Sequence, residues 1–382
     1  MSRILVRLAR FCRKAFSWTF RLETDPSSSN AVDEPTGPGF LPSYAIPPET
    51  RTFSLCDAGK PSDAAIEVDC DAEAGVDDRD ESNRTPLIAV AADGAPPEVI
   101  RLLVSAGSDL EARDKEGNTA LIAACLGNTS IPTVQALIDA GSSLEASNHF
   151  LETALLVAAG RHDIDATRLL IESGADIHTR DEFGHTPLMQ AVGSEICMVE
   201  IVDLLIEAGS ETEARDDSGR TALVIAAAHA RSAGVMARLI EGGADVNTHA
   251  RNGCTPLMAS ATYNMNAAIT QALVEAGAHI DHADSLGTTA LMRAARANRP
   301  EVVQVLIEAG SDLDAMDIVV GTPLMHAVMG HDAWTVVTML LEAGADPSLR
   351  NKVGKTAFHI AREREALEEA ADFDLQPTSI AL

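Results

Sequence analysis

Residues 85–92 read Thr-Pro-Leu-Ile-Ala-Val-Ala-Ala, and the first three residues decide the fold because their pattern recurs along the chain. Each copy has Thr, then Pro or Ala, then Leu or Phe, and successive copies begin 33 to 35 residues apart. The Thr of each copy stands at position 85, 119, 153, 186, 221, 255, 289, 322 or 356. Nine copies at near-equal intervals predict a tandem array of small units, not one large core, in this 382-residue chain.

A second marker is a Gly that runs in step with the Thr. It stands at position 107, 141, 174, 209, 243, 277, 310 or 344, always twelve residues before the next Thr. All variation in length therefore lies between each Thr and the Gly that follows it. One part of the unit is expected to have fixed geometry, and the other part to contain a loop that tolerates insertion.

The local chemistry predicts two helices and a tight turn in each unit. Thr85 can cap free backbone amides, and a Pro at the first helical position loses no hydrogen bond. A second helix is predicted over runs such as 99–103, and the Gly after it can adopt the left-handed conformation that ends a helix. In the twelve-residue segment, Asp114 can hydrogen-bond the turn backbone, while Gly117 supplies a positive φ angle.

These features resemble the ankyrin repeat, a unit of about 33 residues with a T-P-L-H-x-A signature. The resemblance covers residues 76 to about 372. It is carried by Thr85-Pro86-Leu87-Ile88, Thr186-Pro187-Leu188-Met189 and Thr356-Ala357-Phe358-His359-Ile360-Ala361. It implies an all-α ankyrin-repeat solenoid of about nine helix-turn-helix units with short β-hairpin fingers.

Several positions depart from the family pattern. The signature His appears only as His359, and the apolar residues at the equivalent positions are expected to pack in the core. The turn Gly is replaced by Asn83, Leu151 and Val320, and the turn Asp by Ala250. Because Asn tolerates the left-handed region, remodelled fingers are predicted only at Leu151 and Val320, in the third and eighth units.

The charge is unevenly distributed. The whole chain has a net charge of −28, but residues 1–22 hold six basic residues and no acid, which leaves 23 basic against 57 acidic residues, or −34, in the remainder. Such an acidic body repels phosphate backbones, so we expect no nucleic-acid partner and favour basic proteins. Six widely spaced cysteines without a C-x-x-C pair indicate a reducing compartment, and a cytoplasmic protein is expected.

Four segments are predicted. Residues 1–22 have apolar and basic positions at helical spacing, which fits a membrane-surface helix, a transit peptide or a partly ordered tail. Residues 23–75 contain seven prolines and are interpreted as a flexible acidic linker, with a small domain as the alternative. Residues 76–372 form the repeat domain and residues 373–382 a C-terminal tail.

No catalytic constellation is predicted. His162-Asp163 and His331-Asp332 fall in turns between helices, where solvated polar residues are expected, and the remaining histidines lack metal-ligand spacing. The cysteines at 125, 197 and 254 are expected to pack in or near helices. The chain is therefore expected to have no cofactor, no metal and no enzymatic activity.

The ankyrin resemblance implies that a partner binds on the finger tips and the inner helix surface. The tip candidates are Lys115, Glu116, His149, Phe150, Glu182, Phe183, His185, Arg220, Arg251, Asn252, Leu286, Ile318, Val319, Lys352, Val353 and Lys355. The inner-helix candidates are Gln190, Arg293, Arg296 and His326. Phe150 and Phe183 are singled out as anchors, although each could instead fold back on its own finger.

The function predicted from these features is that of a monomeric scaffold or adaptor that binds proteins. Two alternatives stay open. One is an exported or membrane-targeted effector directed at a host, which would use the N-terminal segment. The other is the regulatory subunit of an enzyme.

Overall fold

A computed structural model describes the repeat region over residues 76–127, 130–193, 196–297, 299–330 and 334–364. It also describes the backbone of three strands nearer the N-terminus. These are β1 (Trp18–Leu22), β2 (Arg51–Ser54) and β3 (Ile66–Cys70), and they form an antiparallel sheet in the order β1-β3-β2. In the register of this sheet, Trp18 and Arg51 both stand opposite Cys70.

The sheet differs from the helix expected over residues 1–22 and from the flexible linker expected over residues 23–75. The physical reason is local: Trp-Thr-Phe-Arg-Leu and Ile-Glu-Val-Asp-Cys alternate apolar and polar residues with a period of two, which suits a strand. The remainder of both segments lies outside the described residues, as does the tail at 373–382. The membrane contact and the targeting role of residues 1–22 therefore stay predictions.

Contacts within the chain divide it into two compact units. The first contains Met1–Ala158 and Asp165–Asp176, and the second contains Ala159–Ile164 and Ile177–Leu382. Each unit contains helical hairpins in which a first, inner helix is followed by a second, outer helix.

The described residues contain eight complete helix pairs. The inner helices are α1 (Pro86–Ala92), α3 (Ala120–Leu126), α5 (Ala154–Gly160), α7 (Pro187–Val192), α9 (Ala222–His229), α11 (Pro256–Tyr263), α13 (Ala290–Arg296) and α15 (Pro323–Val328). The outer helices are α2 (Pro97–Ser105), α4 (Ile131–Asp139), α6 (Ile164–Glu172), α8 (Val199–Glu207), α10 (Ala233–Glu241), α12 (Ala267–Glu275), α14 (Pro300–Glu308) and α16 (Trp334–Ala343). Residues 357–364 are helical and begin the ninth repeat.

The predicted helix ends are confirmed. Thr85 precedes α1, and its side-chain oxygen accepts a hydrogen bond from the Ile88 amide at 3.4 Å. Gly107 follows α2 with a φ of +96°, and its amide donates to the Val104 carbonyl at 2.9 Å. These bonds satisfy backbone groups that a short helix leaves free at its ends.

The core is built by stacking equivalent helices of successive repeats. In the first unit, α1 packs on α3 and α2 on α4; in the second, α7, α9, α11, α13 and α15 form one layer and α8, α10, α12, α14 and α16 another. The Leu of each signature triplet, from Leu87 to Leu324, is only 0–3% exposed. The apolar residues at the signature His position, from Ile88 to Met325, are also buried, which confirms their predicted packing role.

The ninth repeat is different because no described repeat follows it. Phe358 stands at the position where the other eight repeats bury a Leu, and it is 72% exposed. A position that is core inside the array thus becomes surface at the end of the described residues.

Each inner helix is preceded by a finger, a five-residue turn such as residues 114–118. The Asp114 amide donates to the Asn118 carbonyl at 3.1 Å, and Oδ1 of Asp114 accepts from the amides of Glu116 and Asn118. The fingers are turns and not extended hairpins, and the one isolated β-bridge within the described ranges joins Ser147 to Thr153.

The third finger keeps the ordinary turn, so its predicted remodelling is wrong. Leu151 adopts a φ of +59°, and its amide donates to the Asn148 carbonyl at 3.1 Å, as the turn Gly does in other fingers. In the eighth finger, by contrast, the predicted remodelling is confirmed. There the positive φ moves one residue on to Gly321, at +128°, because Val320 occupies the usual Gly position.

Candidate partner-binding site

Backbone hydrogen bonds join neighbouring fingers within each unit. The His149 amide donates to the Glu116 carbonyl at 3.0 Å in the first unit, and the Arg251 amide to the Ser218 carbonyl at 3.1 Å in the second. Equivalent bonds run from Lys115 to Ser82, from Asp217 to Phe183, from Ser285 to Asn252 and from Ile318 to Leu286. The finger tips of a unit therefore form a row with fixed spacing.

Arginines strengthen this row. Nη1 of Arg215 donates to the Gly219 carbonyl of its own finger at 2.9 Å and to the His249 carbonyl of the next finger at 2.5 Å. Paired contacts of the same kind are made by Arg79, Arg113 and Arg180. The sequence prediction did not include these residues, although the available signal was an Arg directly before the finger Asp.

Part of the acidic excess is structural. Oε1 of Glu213 accepts the Asp245 amide of the next repeat at 2.9 Å, and the same contact is made at Glu111 by the Ser143 amide, at 2.8 Å. Side chains in equivalent roles are Asp77, Glu145, Asn247, Asp281 and Asp314. The carboxylates among these side chains keep their charge, and each holds the backbone of the next repeat in place.

The two predicted aromatic anchors are both exposed. Phe150 is 48% exposed in the first unit, and Phe183 is 59% exposed in the second. The Phe183 ring lies 5.8 Å from the ring of His185, so it contacts its own finger and still presents most of its surface. Their exposure favours the projecting arrangement over the folded-back alternative.

Apolar tips continue through the last fingers of the second unit. Leu286 is 46% exposed and Val353 is 74% exposed, with Ile318 and Val319 between these values. The Ile318 amide donates to the Leu286 carbonyl at 3.0 Å, which places the tips of the seventh and eighth fingers side by side. Contiguous exposed apolar groups of this kind are typical of interaction surfaces.

The polar candidates differ in their freedom to bind. Most are exposed: Lys115, Glu116, His149, Glu182, Arg251, Asn252 and Lys352. His185 and Arg220 are half-buried and engaged in the scaffold. Nδ1 of His185 lies 3.0 Å from Oδ2 of Asp181, and Nε of Arg220 lies 2.7 Å from Oδ2 of Asp216.

Three inner-helix candidates bind their own finger. Oδ2 of the finger aspartate, nine residues earlier, lies 2.7 Å from Gln190 Nε2, 2.7 Å from Arg293 Nη2 and 2.8 Å from His326 Nε2 in the fourth, seventh and eighth repeats. His326 is only 5% exposed, so it belongs to the core of its repeat and not to an open binding surface. Arg296, one turn further along α13 from Arg293, is exposed.

The buried His326 pair has shifted pKa values. Burial lowers the pKa of His326, because it disfavours the charged imidazolium more than Asp317 favours it. Burial alone would raise the pKa of Asp317, but it lies below its usual value because the Gly321 and Val320 amides and His326 donate to the carboxylate.

A cavity of about 520 Å³ lies in the second unit between the fingers and the inner helices. Its polar lining includes Ser218, Arg220, Arg251, Asn252 and Arg293. A smaller cavity of about 350 Å³ lies in the first unit, beside residues 114–118.

Family models identify the repeats. A model described as three copies of ankyrin repeats matches residues 59–148, 127–216, 155–250 and 225–317, and a model of one ankyrin repeat matches residues 321–352. The chain belongs to the ankyrin-repeat family. The matches of the ankyrin array begin at residue 59, before the boundary of 76 predicted from the sequence.

One solved structure with a similar chain is the crystal structure of the ankyrin repeat domain of Bcl-3, which is described as a unique member of the IkappaB protein family. It has 28% sequence identity and a TM-score of 0.48, and the alignment covers 58% of this chain and 98% of that one. A search of curated proteins gave no match.

The prediction that the turn at His162-Asp163 is solvated is wrong for His162. This side chain is only 7% exposed, its φ angle is +59°, and burial lowers its pKa. The pair His331-Asp332 lies outside the described residues. Cys125 and Cys254 are buried, and burial raises the pKa of Cys197 to about 12, which agrees with packing roles.

The described part of the ankyrin array contains no cluster of three or more His, Cys, Asp or Glu side chains that could hold a metal ion. A helix with the length and apolarity needed to span a membrane is also not found within the described ranges.

Proposed function

We propose that this ankyrin-repeat chain is a non-catalytic scaffold or adaptor that binds a protein partner on its fingers and inner helices. Ankyrin repeats indicate protein partners. The observation that carries the proposal is the row of finger tips, which the backbone holds rigid while large apolar side chains remain exposed on it.

The rigidity matters because binding usually loses free energy in ordering flexible loops. Here the Ile318 amide is already bonded to the Leu286 carbonyl, and Oδ1 of Asp317 accepts the amides of Val319, Val320 and Gly321. The tips are thus ordered before a partner arrives. Their exposed apolar area is then available for burial against the partner.

Phe150 is the anchor among the fingers of the first unit, and Phe183 is the anchor among the fingers of the second. Large aromatic side chains bury much area for little loss of rotamer freedom, which is why they dominate many interfaces. We expect each to enter a pocket on the partner, with the polar tips around it closing off water.

The proposal is tested by affinity capture with the full chain as bait, followed by mass spectrometry. The bait is compared with two variants, Phe150→Ala/Phe183→Ala and Ile318→Asp/Val319→Asp. Met265→Ala is the matched control, because Met265 is 86% exposed but follows α11 at the far side of the repeat from its finger. All baits are first checked for equal helicity.

A partner held by the parent and by Met265→Ala, but lost by either finger variant, supports binding on the fingers. Equal capture by all four baits would contradict the finger-tip surface while leaving a scaffold that binds elsewhere. If the captured partner is an enzyme, a change in its activity on binding would favour the regulatory-subunit alternative.

A further inference from the structure

The sixth finger lacks the side chain that the other eight use to hold the turn. The first finger residue is Asp in six repeats and Asn in two, but it is Ala250 in the sixth. The turn still closes, because the Ala250 amide donates to the Cys254 carbonyl at 3.0 Å and Oδ1 of Asn252 accepts the Cys254 amide at 3.1 Å. The missing carboxylate is therefore not needed for this finger to fold.

The absence of that carboxylate leaves an open space. Ala250 lines the cavity of about 520 Å³, and so does Ala259, nine residues later on α11. In the fourth, seventh and eighth repeats the same two positions carry a carboxylate and a Gln, Arg or His that reaches it. With Ala at both positions, the sixth repeat has neither the side chains that would fill the space nor the negative charge.

The charged lining of this cavity is entirely basic. The charged residues that line it are Arg220, Arg251 and Arg293, and no Asp or Glu does so. Arg251 is exposed at the finger tip, and its guanidinium group has no hydrogen bond or ion pair with any described residue. One full positive charge at the mouth is therefore uncompensated by a direct partner.

The other two arginines are held in place by buried carboxylates. Arg220 is bonded to Asp216 and Arg293 to Asp284, with both carboxylates almost fully buried. Burial alone would raise the pKa of Asp284, but donation from Thr288 and Arg293 lowers it, so this carboxylate stays charged and keeps Arg293 oriented. Guanidinium groups held in a fixed orientation beside a cavity are suited to carboxylate recognition.

We propose that this cavity binds a carboxylate side chain of an acidic segment in the protein partner. The inference rests on the proposed function and names the chemistry of the partner at one site. A volume of about 520 Å³ accommodates a side chain and part of the adjoining backbone. The net charge of the chain favours basic partners, and Asp216 and Asp284 offset the charges of Arg220 and Arg293. The attraction at contact distance therefore comes from Arg251, while salt screens the acids that lie further from the cavity.

The test uses the full chain and two fluorescein-labelled probes, decaglutamate and decaglutamine, with binding followed by fluorescence anisotropy. We expect decaglutamate to bind at least about tenfold more tightly, the difference that one charge-assisted contact supplies. Its affinity should fall as salt is added. Equal affinity of the two probes would overturn the proposal.

Ala250→Asp is the decisive variant, because it restores the carboxylate of the other fingers inside the cavity. It should weaken decaglutamate binding at least about tenfold and leave thermal stability unchanged or higher. Arg251→Gln should weaken binding similarly, while Lys115→Ala and Lys352→Ala, which remove a tip cation from other fingers, should not. If Ala250→Asp binds decaglutamate as tightly as the parent does, the cavity is not the binding site.

Two further outcomes separate related ideas. Displacement of decaglutamate by millimolar inorganic phosphate at constant ionic strength would assign a phosphate-bearing ligand and overturn the carboxylate assignment. If a captured partner stays bound to Ala250→Asp and decaglutamate does not bind the parent, this inference fails and the scaffold function stands. Loss of the partner from the finger-tip variants alone would place its binding outside the cavity.

Discussion

Nε2 of His326 lies 2.8 Å from Oδ2 of Asp317, nine residues earlier in the chain, and both side chains are buried. The same nine-residue link joins Gln190 to Asp181 and Arg293 to Asp284. In these three repeats the inner helix is therefore hydrogen-bonded to the finger that precedes it. This bond ties the finger to the helix layer behind it.

The His326 link predicts that stability falls with decreasing pH. Burial, with a smaller contribution from Arg296, lowers the folded-state pKa of His326 below its usual 6.5, whereas Asp317 opposes this shift. The unfolded chain therefore binds a proton near pH 6.5 that the folded chain does not. The stability that the chain gains by keeping His326 neutral is fully present above about pH 6.5. Below that pH the free energy of unfolding falls by at most about 1.4 kcal/mol per pH unit.

Chemical denaturation at about pH 7.5 and about pH 5.5 measures this loss. His326→Gln is the control, because Gln190 shows that Gln at this position can bond the finger carboxylate. The variant should show a weaker pH dependence than the parent, with His162 accounting for part of what remains. An identical pH dependence would exclude His326 as the source.

Arg293→Ala should destabilise the second unit by about 1–3 kcal/mol, because it leaves the buried Asp284 carboxylate without its side-chain donor. Arg293→Gln should lose less, since an amide can replace the hydrogen bond. The midpoint of urea unfolding, followed by circular dichroism, reports both. Equal losses in the two variants would mean that packing, and not the unpaired carboxylate, sets the effect.

Leu151→Gly should stabilise the third finger by about 1 kcal/mol. Leu151 has a φ of +59°, a conformation in which the Cβ atom of an L-residue is strained, and its half-exposed side chain loses little packing on removal. Leu151→Ala keeps the Cβ atom and should leave the unfolding midpoint nearly unchanged. A gain of the same size in the Ala variant would refute backbone strain as the cause.

Thr255→Ala should cost about 1 kcal/mol, because the Thr255 side chain caps α11 by accepting the Met258 amide at 3.3 Å. Thr221→Ala provides the comparison. Thr221 precedes α9 but makes no capping bond, and its buried hydroxyl group has no partner among the described residues. Its replacement should be neutral or stabilising, and a loss as large as that of Thr255→Ala would contradict the capping argument.

Much of each repeat is predictable from the sequence because its decisive interactions are local. The Thr85 oxygen that caps α1 lies three residues from the Ile88 amide that donates to it, and the end of α2 at Gly107 depends on one dihedral angle. The Arg215 contact with the His249 carbonyl is different, since it joins residues 34 apart that meet only when repeats stack. The local sequence also did not predict that Leu151 would adopt a left-handed conformation or that His162 would be buried.

The sequence by itself determined the period, the two helices of each repeat, most of their caps and the ankyrin family, because these follow from dihedral preferences and from short-range hydrogen bonds that recur along the chain. The tertiary structure alone decided which polar residues serve the scaffold and which remain free. Arg220 and Arg293 are tied to buried carboxylates, while Arg251 points to a cavity left open by Ala250 and Ala259. The physical reason is that availability for binding depends on neighbours from adjacent repeats, and these are brought together only by stacking.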